Sequence, residues 1–426
     1  MADNSGIFYP QDYKLKKLVL TNKSGKTLDL TNLLVEFSYF EDMFAFSVSG
    51  YIVLRDSAGY IELDSMTGNE TLEIDFGKFA DTYTNLKRTF RMYKISNVKP
   101  IGNLTSIIYK LHFCSEELVL SEQSKIQKSY PGQKISDIVG EILMDKMGIE
   151  ETKLIIEDTY GVYDFNIGLL KPFEAISFLS TYARPSAFQK SADMLFFENR
   201  DGFNFRSVQS LYKSNVYKKY KYQAKNIKEA SAEDRLGTVL DYEVIKFYDI
   251  LENISSGMYA SRLITIDPLT QTFKVTDFNY QKDSDSALNN KSALSTKQNR
   301  LGITQNNAFP SVVKFSSSNS RNNSNNKLID ENPGSVAKDI FLEDTLPIRT
   351  SALAALNHTK LKIVIPGDSG IAVGRIIELD IPKLNPGDPS RSNFFSGKYV
   401  VTALRHIVQV PTVFQTILEI TKDSYI

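Results

Sequence analysis

Three runs decide the fold: Leu361-Lys362-Ile363-Val364-Ile365-Pro366-Gly367, then Val373-Gly374-Arg375-Ile376-Ile377-Glu378-Leu379, then Ser396-Gly397-Lys398-Tyr399-Val400-Val401-Thr402-Ala403-Leu404-Arg405-His406. They are dense in β-branched and apolar residues, and the gaps carry turn chemistry at Pro366-Gly367, Pro386-Gly387 and Ser396-Gly397. Such short runs with glycine and proline between them read as an antiparallel sheet or barrel. The strands expected are Leu361 to Ile365, Arg375 to Ile381, Lys398 to Val408 and Val413 to Thr421, after a helical candidate at Ser351 to Asn357.

Strand patterning also governs the N-terminal end. From Phe37 to Leu54 the chain alternates, with Phe44, Phe46, Val48, Ile52 and Leu54 on one face, which predicts one long strand. Leu72, Ile74 and Phe76, and Tyr109, Leu111 and Phe113, repeat that pattern. Residues 8–118 are therefore expected to form a first antiparallel β unit. The period changes after Tyr130-Pro131-Gly132, where Ile135, Ile138, Val139, Ile142 and Leu143 take helical spacing and Gly148 stops it. A second helix opens at Pro172 and halts before Pro185, and Met194-Leu195-Phe196-Phe197-Glu198 and Phe203-Asn204-Phe205 read as strands. Residues 119–222 form a small α/β unit on this reading. Residues 223–280 and 350–426 form a second β unit, interrupted at 281–349 by a Ser/Asn-rich polar insertion. That insertion reads either as a solvated loop or as a segment that orders against a neighbouring subunit.

Composition bounds the function. The chain has 426 residues, 42% of them apolar, enough for several packed units. Fifty basic residues balance fifty acidic ones, which removes the field that nucleic-acid binders use. The basic stretch Lys213 to Lys228 reads as a solvated strand or linker face. One cysteine, Cys114, excludes an internal disulfide and suits assembly in a reducing cytoplasm. The start Met1-Ala2-Asp3-Asn4-Ser5-Gly6 lacks the pattern of a secretory signal, and no stretch reaches the length of a membrane span.

Chemistry is sparse. His112, His358 and His406 stand apart from one another, so neither a metal site nor a histidine base is indicated. Gly367-Asp368-Ser369-Gly370 has the wrong spacing for a nucleophile elbow and reads as a tight loop between strands. No phosphate-binding or dinucleotide fingerprint occurs, and Cys114 lies on a strand, where packing is its role. No catalytic, cofactor-binding or metal-binding residue is assigned. A carboxylate pair among the fifty acidic residues keeps a peptidoglycan hydrolase as the alternative reading.

The C-terminal runs resemble the barrel of contractile-tail baseplate hub proteins, which are related to the spike hubs of type VI secretion. The hub-barrel motif is carried by Pro366, Gly367, Gly374, Gly397, Tyr399 and His406. Tyr130-Pro131-Gly132-Gln133-Lys134-Ile135, Lys171-Pro172-Phe173-Glu174-Ala175-Ile176, Phe197 to Phe205 and Ser256 to Asp267 are similar to the rest of that family in the same order. The resemblance implies a mainly β fold of α+β type, with two barrel-like tube domains joined by a small α/β domain. It implies a homotrimer whose six pseudo-equivalent barrels adapt a hexameric tail tube to a central spike and nucleate tube assembly. Other baseplate proteins are implied as neighbours, with DNA passing the lumen without specific binding and no membrane insertion. The implied place is the virion tail baseplate, assembled in the host cytoplasm. The strand bearing Phe44, Phe46, Val48, Ile52 and Leu54 is the expected interface edge.

Overall fold

A computed structural model describes residues 13–60, 68–78, 85–102, 105–222, 236–247, 249–267, 271–280, 292–293, 312–317, 342–383, 390–411 and 413–425. The N-terminal start, the end of the basic stretch, most of the polar insertion and the Pro386-Gly387 turn lie outside the described residues.

The protein is mainly β. Its first part supplies β1 (Tyr13–Thr21), β2 (Thr27–Asp29), β3 (Leu34–Asp42), β4 (Ser49–Asp56), β5 (Thr71–Lys78), β6 (Leu86–Ile101) and β7 (Ser106–Cys114). Next come α1 (Glu116–Gln123), β8 (Ile126–Gln133), α2 (Ile135–Glu141), β9 (Leu154–Ile156), β10 (Tyr163–Leu170), α3 (Pro172–Ser180), β11 (Met194–Asn199), β12 (Gly202–Ser207) and α4 (Val208–Tyr212). The remainder opens with β13 (Val216–Lys221), β14 (Asp241–Phe247), α5 (Ile250–Ser255), β15 (Ala260–Asp267), β16 (Thr272–Asn279), β17 (Ser292–Ala293) and β18 (Val312–Ser317). It closes with α6 (Leu342–Leu356), β19 (Thr359–Pro366), β20 (Ile376–Asp380), β21 (Gly397–Gln409), β22 (Val413–Lys422) and β23 (Ser424–Tyr425).

One 13-stranded sheet runs through both β parts in the order β14-β19-β22-β21-β3-β4-β7-β6-β5-β1-β2, with β20 pairing both β13 and β21. That order contains a repeat. The first part reads β3-β4-β7-β6-β5-β1, and the last reads β14-β19-β22-β21-β20-β13, with the matched strands in the same chain order. The two copies differ at their ends, because β1 meets β5 antiparallel whereas β13 meets β20 parallel.

Several expectations need correction. Phe37 to Leu54 is two strands: Asp42 Oδ1 accepts the Phe44 amide and its carbonyl accepts that of Ala45, so the chain turns before β4. Val216–Lys221, expected in the middle unit, is a strand of the main sheet. Lys219 in it pairs with Glu378 at 2.9 Å, and Tyr220 is buried. β15 and β16, expected in the second barrel, instead form a small separate sheet with β18, which comes from the expected polar insertion. Helix α6 packs on that sheet, where the Thr265 hydroxyl of β15 donates to Glu343, and its Ser351 Oγ donates to the Met258 carbonyl just before β15 at 2.7 Å. It also starts earlier than the Ser351 to Asn357 candidate. Arg349 ties it to the middle unit by donating to the Met194 carbonyl at 2.5 Å.

The middle unit has its own core. Ile135, Ile138, Val139 and Ile142 recur at helical spacing and bury against Phe173, Ile176 and Leu179 of α3, with Phe196 and Phe203 of the β11–β12 hairpin beside them. The two β parts do not have separate cores. A single apolar cluster runs from Leu18 and Phe37 to Leu418 and Ile420.

Candidate functional site: the joint between the two β units

The joint is built on a fork in β21. Along one edge, Gly397 to Val400 pair with β20, and beyond Thr402 the same edge pairs with β3, from Ala403 opposite Asp42 to Gln409 opposite Glu36. A register shift between Val401 and Ala403 marks the fork, and there the Thr402 carbonyl accepts the Met43 amide at 2.8 Å. A bulge adds local twist, which lets one strand leave its own unit and join another.

Behind the fork, aromatic side chains close a circuit. His406 stacks on Tyr39 at 5.8 Å between ring centroids, and Tyr39 leads through Phe90, Phe113, Phe37 and Phe76 to Phe414. Phe414 returns to His406 at 5.7 Å. His406 and Phe414 belong to the second β unit and fill the interior of the first. The His406 Nδ1 and Thr416 Oγ1 lie 2.9 Å apart, which fixes the ring.

A buried polar network locks the middle unit into the same place. The end of β11 and the turn after it insert Glu198, Asn199 and Arg200 between the two β units. Glu198 Oε2 accepts from the Val48 amide at 2.9 Å and the Ser115 hydroxyl at 2.5 Å, and its Oε1 meets Arg88. Asn199 Nδ2 donates to the Val373 carbonyl at 3.0 Å, while Arg200 reaches the Ser369 carbonyl. From the first unit, Glu41 accepts from the Val373 amide at 2.8 Å, the Arg200 amide at 2.6 Å and the Tyr39 hydroxyl at 2.8 Å. Burial pushes the Glu41 carboxyl up to about 7. Every oxygen of these two wholly internal carboxylates has a partner, the arrangement of a clamp.

The motif residues fall around the joint. Pro366 ends β19 opposite Gln415. Gly367 is there for space and not for a left-handed turn, because a Cβ would enter the Phe414 ring. Gly374 (φ 86°) and Gly397 (φ 131°) do occupy glycine conformations. Tyr399 is buried and donates to the Phe395 carbonyl at 2.7 Å. The expected interface strand is not an edge. β4 has β3 on one side and β7 on the other, so Val48, Ile52 and Leu54 are core residues, Phe46 packs on Phe173 and Phe196, and Phe44 alone stays open. Cys114 is buried, and burial aided by Glu198 raises its thiol to about 11. Among the described residues no group of three His, Cys, Asp or Glu side chains could hold a metal ion, and no helix is long and apolar enough to cross a membrane.

No protein-family model matches this sequence. The probable baseplate hub protein gp334 of Vibrio phage KVP40 is 25% identical over 394 residues, which cover 88% of this chain and 87% of that one. This is a baseplate-hub-like protein. Two solved structures share the fold of this chain along its length. The tail protein from Neisseria meningitidis MC58 superposes with a TM-score of 0.56 at 10% identity, covering 97% of each chain. The 43 kDa tail protein of prophage MuSo2 from Shewanella oneidensis gives 0.53 at 9% identity, covering 96% of this chain and 98% of that one. The likeness in sequence to a baseplate hub protein and the likeness in fold to two tail proteins agree.

Glu41, Glu198, Arg88 and Arg200 were not marked by sequence reading. A weak signal exists for one of them: Glu198 closes an otherwise apolar strand, Met194 to Phe197, where a lone carboxylate needs a buried partner.

Proposed function

We propose that three copies of the hub protein form a ring of six similar β units, which adapts a hexameric tail tube on one side to a central threefold spike on the other. The repeat of strand order within one chain carries this reading, since three chains with two matched units each supply sixfold-like positions. The units correspond to residues 8–118 and to 223–280 with 350–426, amended so that β13 joins the second and β15 and β16 leave it. The motif residues from Pro366 to His406 shape the second unit and its seat on the first. In this role the ring nucleates tube growth, is assembled in the host cytoplasm, passes DNA through its lumen and performs no catalysis.

Light scattering on the purified chain, alone and with tube and spike proteins, tests the reading. A trimer that binds both partners is expected. A monomer under all these conditions, or a sixfold ring of this chain, overturns it.

A further inference from the structure

We infer that neighbouring copies join by antiparallel pairing of the free half of β6 (Tyr93–Ile101) with β14 (Asp241–Phe247) of the next copy. This rests on the three-copy ring proposed above and names its interface.

The repeat identifies the matching parts. In it β21 corresponds to β6, β22 to β7, β20 to β5, and β14 to β3. The forks also match: β6 pairs with β5 from Leu86 to Arg91, and a register shift against β7 lies between Met92 and Lys94, as it lies between Val401 and Ala403 in β21. Val401 donates its amide to the Arg375 carbonyl, and Met92 donates to that of Glu70. Past its fork β21 pairs with β3. Past its own fork β6 has no strand on that side among the described residues, and β14 has one only on its β19 side. Two long unpaired edges with exposed Tyr93, Val98, Val244 and Ile245 are what sheets normally cover.

Register adds a second observation. Ser38 faces Ile407 in the intrachain joint. Counting outward from the forks, Ile407 and Lys99 occupy the same place, opposite Gln415 and Ile108, despite one extra β6 residue near Asn97 (φ 54°). Ser38 and Glu243 likewise match, opposite Tyr51 and Lys362. The pairing therefore sets Lys99 of one copy against Glu243 of the next, which is a favourable cross-strand pair. Pro100, which matches Val408, supplies no donor, so the ladder there is one bond short.

Shape agrees. At the intrachain fork the chain leaving β3 buries Met43 completely. At the free fork a cavity of about 220 Å3 opens beside Leu20, Met92 and Leu111. The chain leaving β14 enters α5 with Leu251, 80% exposed, available to fill it.

The test is a Lys99→Cys/Glu243→Cys double variant of the full chain, oxidised and run on a non-reducing gel beside each single variant, with native mass by light scattering. Cys114 is buried and gives little background. A reducible covalent trimer from the double variant alone is expected. Lys99→Glu should raise the concentration needed for the trimer roughly tenfold, and adding Glu243→Lys should restore it. A trimer in solution without cross-links overturns the pairing and leaves the ring. Cross-linked chains longer than three copies keep the pairing and overturn the threefold ring. A monomer at every concentration overturns both.

Discussion

Glu41 and Val373 stand 332 positions apart in sequence, yet the Val373 amide donates to Glu41 Oε2 at 2.8 Å inside the joint. With the Arg200 amide and the Tyr39 hydroxyl on Oε1, this single side chain touches all three parts of the chain.

That contact makes stability depend on pH. The Glu41 carboxyl titrates near its usual value of 4.5 when unfolded and at about 7 when folded. The folded state therefore holds the proton more tightly, and its contribution, full below about 4.5, is lost as pH rises through about 7. Glu41→Gln should flatten this part of the melting-temperature profile. It should also cost about 1–3 kcal/mol, because an amide NH2 would face a backbone N–H. Thermal unfolding from pH 5 to 8 checks both; an unchanged slope would count against Glu41 as the titrating group.

Arg88 and Glu198 predict a different pattern. Removing one partner of a buried ion pair strands the other charge, so Arg88→Met should destabilise by about 3–5 kcal/mol. Arg88→Met with Glu198→Gln should recover part of the loss. Denaturant titration of the two single variants and the double gives the coupling, and strict additivity would show that the pair does not act as a unit.

Gly367 and Phe414 are coupled by space. Gly367→Ala should cost about 1–3 kcal/mol by pushing a methyl into the ring. In a Phe414→Leu background the same change should cost less. Equal costs in both backgrounds, read from melting curves, would refute the steric account.

The internal carboxylates also bear on enzymology. Glu41 and Glu198 are enclosed and engaged with backbone amides, and under the structural role proposed above cell-wall substrate should remain intact in a zymogram with the wild-type protein. Clear lysis that vanishes when an Asp or Glu pair is substituted would establish the hydrolase reading.

Much of the fold was legible because half-buried strands write their alternation into sequence. Leu72, Ile74 and Phe76, and the runs ending at His406, became strands as their period requires. The break at Asp42 was not legible, since the turn falls inside an alternation that continues through Phe44 and Phe46. The joint was not legible either. β3 and β21 are far apart in sequence, and an antiparallel ladder is made by backbone groups that every residue carries. For the same reason the repeat shows in strand order but not in residues: LVEFSYFED and DYEVIKF occupy one role with different side chains. The clamp was hidden because fifty acidic residues look alike until burial separates them.

The excursion from residue 248 to residue 358 leaves the main sheet at the end of β14 and returns at the start of β19, the strand beside it. Its two ends are neighbours whatever lies between, and closing a longer loop costs only about 0.6 kcal/mol for each doubling of length. The circumference of a ring built from these sheets is thus independent of the appendage hung from this hairpin. In the ring proposed above, a change in the size or surface of that appendage leaves the bore as it is.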